Sequence, residues 1–182
     1  AAPIAFEGSK YVTAGNIEEG FEQERIDLTA WSGPINTQSL DAVFGGRVRS
    51  LAENPVDRGV IELSFLDASD NELDGMSAFS VNPGDRWDLV GGRIKIPVGT
   101  VRAVFRFTAD RDSGTSNDSY LDHAFLYIVS EGAAPNQGAY ARAADEEGDT
   151  VAKGAPLFIG QREDLLVQSQ QVGEFRMLPA SD

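Results

Sequence analysis

Hydrophobic and polar residues alternate with a period of two along several stretches of this chain, and turn-forming residues stand between those stretches. In "GVIELSFLD" (59–67) one face carries Val60, Glu62, Ser64 and Leu66, and the other Ile61, Leu63 and Phe65. "RIKIPVGT" (93–100) alternates as well. "VRAVFRFTA" (101–109) sends Val101, Ala103, Phe105 and Phe107 to one side and Arg102, Arg106 and Thr108 to the other. The runs are bounded by "DASDNELDG" (67–75), "VNPGD" (81–85), "VGG" (90–92), "PVGT" (97–100) and "DRDSGTSND" (110–118), which is the signature of many short strands joined by turns. No stretch holds a helical period of useful length; only "AYARAADEEG" (139–148) predicts a turn or two of helix. The pattern predicts an all-β fold, a two-sheet antiparallel β-sandwich of jelly-roll type, with Phe65, Phe105, Phe107 and Leu126 in its core.

The pattern changes after Val129. Residues 130–138, "SEGAAPNQG", are small, polar and Pro/Gly-bearing, and read as a linker between a domain over 1–129 and a C-terminal arm over 139–182. Within the arm, "APLFIG", "EDLLVQSQ" and "GEFRMLP" predict three short strands, too few to bury a core of their own. Uncovered, such strands invite aggregation, so the arm is expected to pack on its own sandwich or on a neighbouring copy, with exchange between copies favoured.

Composition narrows the partners. With 41% hydrophobic and 24% charged residues the chain has the make-up of a folded domain. A net charge of −14 and a pI near 4.4 argue against nucleic acid and against an anionic membrane surface, and fit a salty, calcium-rich or extracellular setting. Cysteine is absent, which removes disulfides, thiolate metal sites and thiol nucleophiles. The longest apolar stretch, residues 124–129, is far short of a membrane span, so no membrane insertion is expected. The first residues, "AAPIAFEG", lack a signal pattern, and Ala1 can follow either an excised methionine or a cleaved leader.

The ordered pieces "GFE" (20–22), "AW" (30–31), "LDAVFGGRVRS" (40–50), "DRGVIELSFLDASDNEL" (57–73) and "RIKIPVGTVRAVFRFTADRDSGTSNDSYLDHAFLYI" (93–128) together resemble the galactose-binding-like β-jelly-rolls. Within these the chain is similar to F-box-associated sugar-binding domains, family 4/9-type carbohydrate-binding modules and related bacterial extracellular modules. The resemblance spans roughly residues 14–129. It implies a carbohydrate-binding role and, from members that hold a structural calcium, an ion at the matching Glu22 and Asp122. This chain departs from the family in having Glu18-Glu19 where Asn-Gly often precedes "GFE".

Taken by themselves, the residues offer little catalytic chemistry. Asp122 and His123, the only histidine, are neighbours on a predicted strand and would point to opposite faces, which argues against a catalytic dyad. There is no G-x-S-x-G, no H-E-x-x-H and no second histidine. No catalytic residue is assigned. Alternation sets Asp122 on the face of Tyr120, Ala124, Leu126 and Ile128; if that face is the inner one, its charge requires an ion, an arginine or backbone amides. Oxygen ligands of this kind suit calcium better than zinc.

The acidic "DASDNELDG" does not match EF-hand spacing and reads as a solvated hairpin connection. Sugar binding requires aromatic faces and planar polar groups on a rim. The candidates are Trp87, Arg111, Asp112, Asn117, Asp118 and Tyr120, while Phe21 and Trp31 read as core. The expectation is a non-catalytic, extracellular glycan-binding module with a structural calcium. The alternative is a structural subunit of a virion, tail spike or adhesive appendage that forms a homo-oligomer through residues 139–182.

Overall fold

The computed structural model describes residues 3–81, 83–130 and, as backbone, 169–171. The strands are β1 (Val12–Gly15), β2 (Glu19–Asp27), β3 (Leu40–Arg49), β4 (Arg58–Leu66), β5 (Glu72–Phe79), β6 (Asp88–Lys95), β7 (Arg102–Asp110), β8 (Asn117–Ser130) and β9 (Ser169–Gln171). Sheet A runs β1-β8-β3-β6 with β9 also on β8, and sheet B runs β2-β7-β4-β5. All pairings are antiparallel. This is the expected two-sheet antiparallel sandwich, and successive strands cross repeatedly between its sheets.

The core lies between the inner faces. Ile61, Leu63 and Phe65 from β4 are fully buried, facing inward with Ala103, Phe105 and Phe107 of β7 and meeting Phe44, Leu126 and Ile128 of sheet A. Period-two alternation places these residues together because each strand shows every second side chain to the opposing sheet. Each large side chain removed from water contributes about 1.5–3 kcal/mol. Trp31 is half-buried against this core. Phe21 is not part of it: it is 60% exposed on the outer side of β2.

Between β2 and β3 the chain makes a short 3₁₀ turn (Thr29–Trp31) and one helical turn, α1 (Ser32–Asn36), too short to leave a period in the sequence. Asp27 starts this corner by accepting the Thr29 N–H at 2.8 Å, and Leu28 and Ile35 close that end of the core at 0% exposure.

One irregularity reorganises sheet A. The β3–β8 register skips between Gly45, opposite Phe125, and Arg47, opposite Asp122, so that two residues of β8 face Gly46. His123 takes up the extra length with φ of 49°. A Cβ on Gly46 would lie 2.8 Å from Leu121 and 3.1 Å from Ile61, which is why this position bears no side chain. The bulge inverts the alternation. Leu121 before it and Leu126 and Ile128 after it all enter the core, whereas Tyr120 and Asp122 share the outer face with Phe125 and Tyr127. Asp122 is therefore not on the face of Leu126 and Ile128.

Apart from 169–171, the arm over 139–182, including its predicted helical turn and the predicted strands "APLFIG" and "GEFRMLP", falls outside the described residues. β9 overlaps the end of the second, "EDLLVQSQ", and its Ser169, Gln170 and Gln171 pair with Val129, Ile128 and Tyr127 of the same chain.

Candidate functional site

The outer face of sheet B holds a groove of about 420 Å³ that all four strands build. Alternation brings Gln23 and Arg25 of β2, Arg106 and Val104 of β7, Glu62 and Ser64 of β4, and Glu72 and Ser77 of β5 to its surface. Arg106 donates from Nε and Nη2 to Gln23 Oε1 at 3.2 and 2.8 Å, and its guanidinium lies 4.7 Å from the centre of the Phe21 ring. Glu62 accepts from the Thr108 hydroxyl at 3.2 Å. At the other end Asp70, at φ of 64° in the β4–β5 turn, holds Arg25 at 2.8 Å and also pairs with Arg102. The same hairpin connection is braced by Asp67, whose carboxyl takes the Asn71 amide at 3.0 Å and the Ser69 and Asn71 backbone N–H groups. Those bonds, the Asn71 side chain first, hold Asp67 below the usual carboxylate range. A volume of this size suits a small ligand, and its polar lining suits one rich in hydroxyls.

The loop over 110–118, expected to face a sugar, is an organised structure centred on a residue that sequence reading did not select. Asp57 is fully buried and accepts the backbone N–H groups of Asp112 at 2.7 Å, Ser113 at 3.1 Å and Asp118 at 2.7 Å. Arg111 closes the loop on itself through Thr115 O at 3.1 Å. Asn117 is 1% exposed, donates to Glu18 O at 3.1 Å and accepts from Ser119 N at 3.2 Å, so both ends of its amide act inside the protein. Asp112 is exposed.

Asp118 stands with Glu53 and Asp57, their nearest carboxylate oxygens all within 4.8 Å of one another. Glu53 Oε1 is buried and, among the described residues, has no hydrogen-bond partner. Three carboxylates this close repel one another unless a proton or cation intervenes, and an all-oxygen donor set fits a hard divalent ion. Among the described residues, this is the acidic cluster whose geometry could hold a metal. Its members come from loops and strand ends that the fold joins across 61 residues between Asp57 and Asp118, a separation no local spacing reveals.

The expected pair of metal ligands, Glu22 and Asp122, is not brought together. Glu22 is exposed on β2 in sheet B, opposite Phe107, whereas Asp122 is 3% exposed on β8 in sheet A. The charge of Asp122 is met by backbone amides: Phe6 N at 2.8 Å and Glu7 N at 3.1 Å on Oδ2, and His123 N at 2.7 Å on Oδ1. The N-terminal segment thus crosses the outer face of sheet A. Phe6 stacks on the His123 ring and under the Arg47 guanidinium, and His123 Nδ1 lies 3.5 Å from Glu7. The bulge brings His123 and Asp122 to the same segment, against the simple alternation, yet no hydrogen bond joins the imidazole to the Asp122 carboxylate.

Trp87 and Tyr120 do converge, but on Tyr11. Its ring centre lies 6.1 Å from that of Trp87 and 5.3 Å, edge-on, from that of Tyr120. Trp87 donates its indole N–H to Ile4 O at 2.9 Å and Tyr120 its hydroxyl to Asp118 at 2.7 Å. Burial, followed by that bond to Asp118, pushes the Tyr120 phenol well above its ordinary pKa. Among the described residues no helix is long and apolar enough to cross a membrane. Neither a protein-family model nor a curated protein matches this chain.

Proposed function

We propose that this protein is a non-catalytic binding module that takes up a glycan on the outer face of sheet B. The observation that carries the reading is the polar groove, with planar Gln23, Arg25, Glu62 and Arg106 side chains and the exposed ring of Phe21 at its rim. Carboxylate, amide and guanidinium groups bond paired sugar hydroxyls, and an aromatic face packs on the C–H side of a pyranose. The resemblance to galactose-binding-like modules points to the same class of ligand. Trp87 and Tyr120 already pack on Tyr11, so the aromatic contact is assigned to Phe21. A glycan array on the intact protein should return a preferred oligosaccharide. Phe21→Ala and Arg106→Ala should each weaken its binding at least tenfold, about 1.4 kcal/mol, with little change in melting temperature. A blank array, or variants that bind as well as the parent, overturns the reading.

The same reading assigns a structural calcium to Glu53, Asp57 and Asp118. An ion that binds only the folded chain stabilises it by about 2.7 kcal/mol at one hundred times its Kd. Calcium should therefore raise the melting temperature, EDTA should reverse the rise, and Asp118→Asn should abolish the response while Glu22→Gln retains it. A melting curve indifferent to calcium removes the ion from the proposal. An acidic, cysteine-free chain acting on glycans fits an extracellular setting. The alternative role, a structural subunit joined to neighbours by its arm, draws on the short apolar runs in the sequence of 155–179.

A further inference from the structure

The charges that line the groove on sheet B divide by strand. Among the described residues, its cations, Arg25 and Arg106, come from β2 and β7, and its carboxylates, Glu62 and Glu72, from β4 and β5. Register sets Arg106 directly opposite Glu62, the arrangement in which a cross-strand ion pair ordinarily forms. It does not form here. Arg106 turns to Gln23 and the Phe21 ring on β2, while Glu62 takes the Thr108 hydroxyl. Arg25 is likewise engaged, by Asp70 at 2.8 Å. Among the described residues, neither Glu62 nor Glu72 has a cation within 4.0 Å. The cations of the groove are committed, and its carboxylates are open.

The carboxylate end has a niche made by a missing side chain. Gly75 lies opposite Ser64 in the β4–β5 pair. A Cβ on Gly75 would stand 3.2 Å from both Glu72 Oε1 and Ser64 Oγ. Without that atom, the space over the Gly75 Cα is faced at close range by a carboxylate and a hydroxyl, with Glu62 on the same face of β4, two residues from Ser64. An ammonium group carries three donors and no acceptor, which matches two carboxylates and a hydroxyl that lack a cation of their own. A sugar hydroxyl in its place brings one donor and no charge, and an acetamide brings one donor and more bulk.

Resting on the glycan reading of this groove, we infer that its ligand is built of amino sugars with free, protonated amines, one of which sits over Gly75 between Glu62, Glu72 and the Ser64 hydroxyl. Arg106, Gln23 and Phe21 then meet the hydroxyl and C–H surfaces of the neighbouring sugar. Charge-assisted hydrogen bonds are roughly twice as strong as neutral ones, so the amine sets the specificity and the rest of the groove sets the orientation. The net charge of −14 adds a long-range attraction for a cationic glycan and works against an acidic one.

The probes are a glucosamine tetrasaccharide, its fully N-acetylated counterpart and a glucose tetrasaccharide of the same linkage. Each is titrated calorimetrically against the intact protein at about pH 6, where carboxylates are ionised and amines protonated. The amine form should bind at least tenfold tighter than either of the others. Glu62→Gln and Glu72→Gln should each erase most of that preference, while Glu22→Gln, which removes an exposed carboxylate outside the groove, should leave it unchanged. Equal affinity for the three probes overturns the amine assignment and leaves the glycan reading standing. A loss as large for Glu22→Gln as for Glu72→Gln would trace the preference to the acidic surface as a whole and overturns it too. No binding of the amine form also overturns it, and the glycan array then decides the wider reading.

Discussion

The two outer faces of the sandwich have opposite fates. Outside sheet A, Val43, Tyr120, Tyr127 and Val129 are buried, the N-terminal segment is bound across Asp122, and β9 extends the edge. Outside sheet B, Arg25, Gln23 and Phe21 remain exposed around an open groove. Both faces back onto the same core, so the core does not decide which is covered. The outward positions do: β8 places Tyr120, Phe125, Tyr127 and Val129 outside, where β7 places Arg102, Arg106 and Thr108. A sheet face that needs a lid and a face that can meet a ligand are distinguished by which side chains take the solvent positions of their central strands.

The largest expected effect ignores the difference between the faces. Phe105→Ala removes a 3%-exposed ring from the shared core and should cost about 3–5 kcal/mol, read by denaturant unfolding. A loss confined to one sheet in hydrogen exchange would show that the sheets do not share a cooperative core. Asp122→Ala tests the covered face alone. It leaves the Phe6 and Glu7 amides without their acceptor and should cost about 1–3 kcal/mol, with faster exchange at residues 6 and 7. If those amides stay protected, the segment is held by its rings.

Arg106→Ala tests the open face. Arg106 is half-buried on the outer face, with Gln23 and Phe21 as its partners, so the change should cost less than about 1 kcal/mol and any larger loss of glycan binding is local. The smallest effect concerns the edge of sheet B. Glu24 pairs with inward-facing Phe105, and partial burial holds its carboxyl above the ordinary value of 4.5. A carboxyl raised in the folded state favours folding while protonated, and that advantage is lost as pH rises through its folded pKa. Glu24→Gln should therefore raise the melting temperature slightly at pH 7 and leave it unchanged near pH 3. An equal gain at both pH values would trace the effect to packing.

Much of the sandwich was legible because its strands are regular. Residues 101–109 alternate without interruption, and Phe105 and Phe107 lie where that alternation puts them. Phe21 misled because an aromatic in a short strand reads as core, whereas its partner Thr108 faces out. Asp122 misled for a different reason: a single inserted residue inverts the alternation, and a bulge leaves no compositional mark when the residue at positive φ is a histidine. The carboxylate cluster was invisible because Glu53 and Asp57 meet Asp118 only through the fold, and the groove because its residues are contributed by four strands far apart in the sequence. The acidic loop was found, but its organiser was not.

The bulge at His123 works as a reading frame for β8. Upstream of it the odd-numbered Leu121 is inside; downstream the even-numbered Leu126 and Ile128 are inside. Deleting His123 would leave Ala124 alone opposite Gly46 and keep Leu126 and Ile128 inside, whereas inserting one further residue there, or straightening the bulge with all its residues kept, would exchange the two faces of the strand's second half. Tyr127 and Val129 would be driven into the core, and Leu126 and Ile128 would be turned outward. At this point of the chain, the number of residues carries as much structural information as their identity.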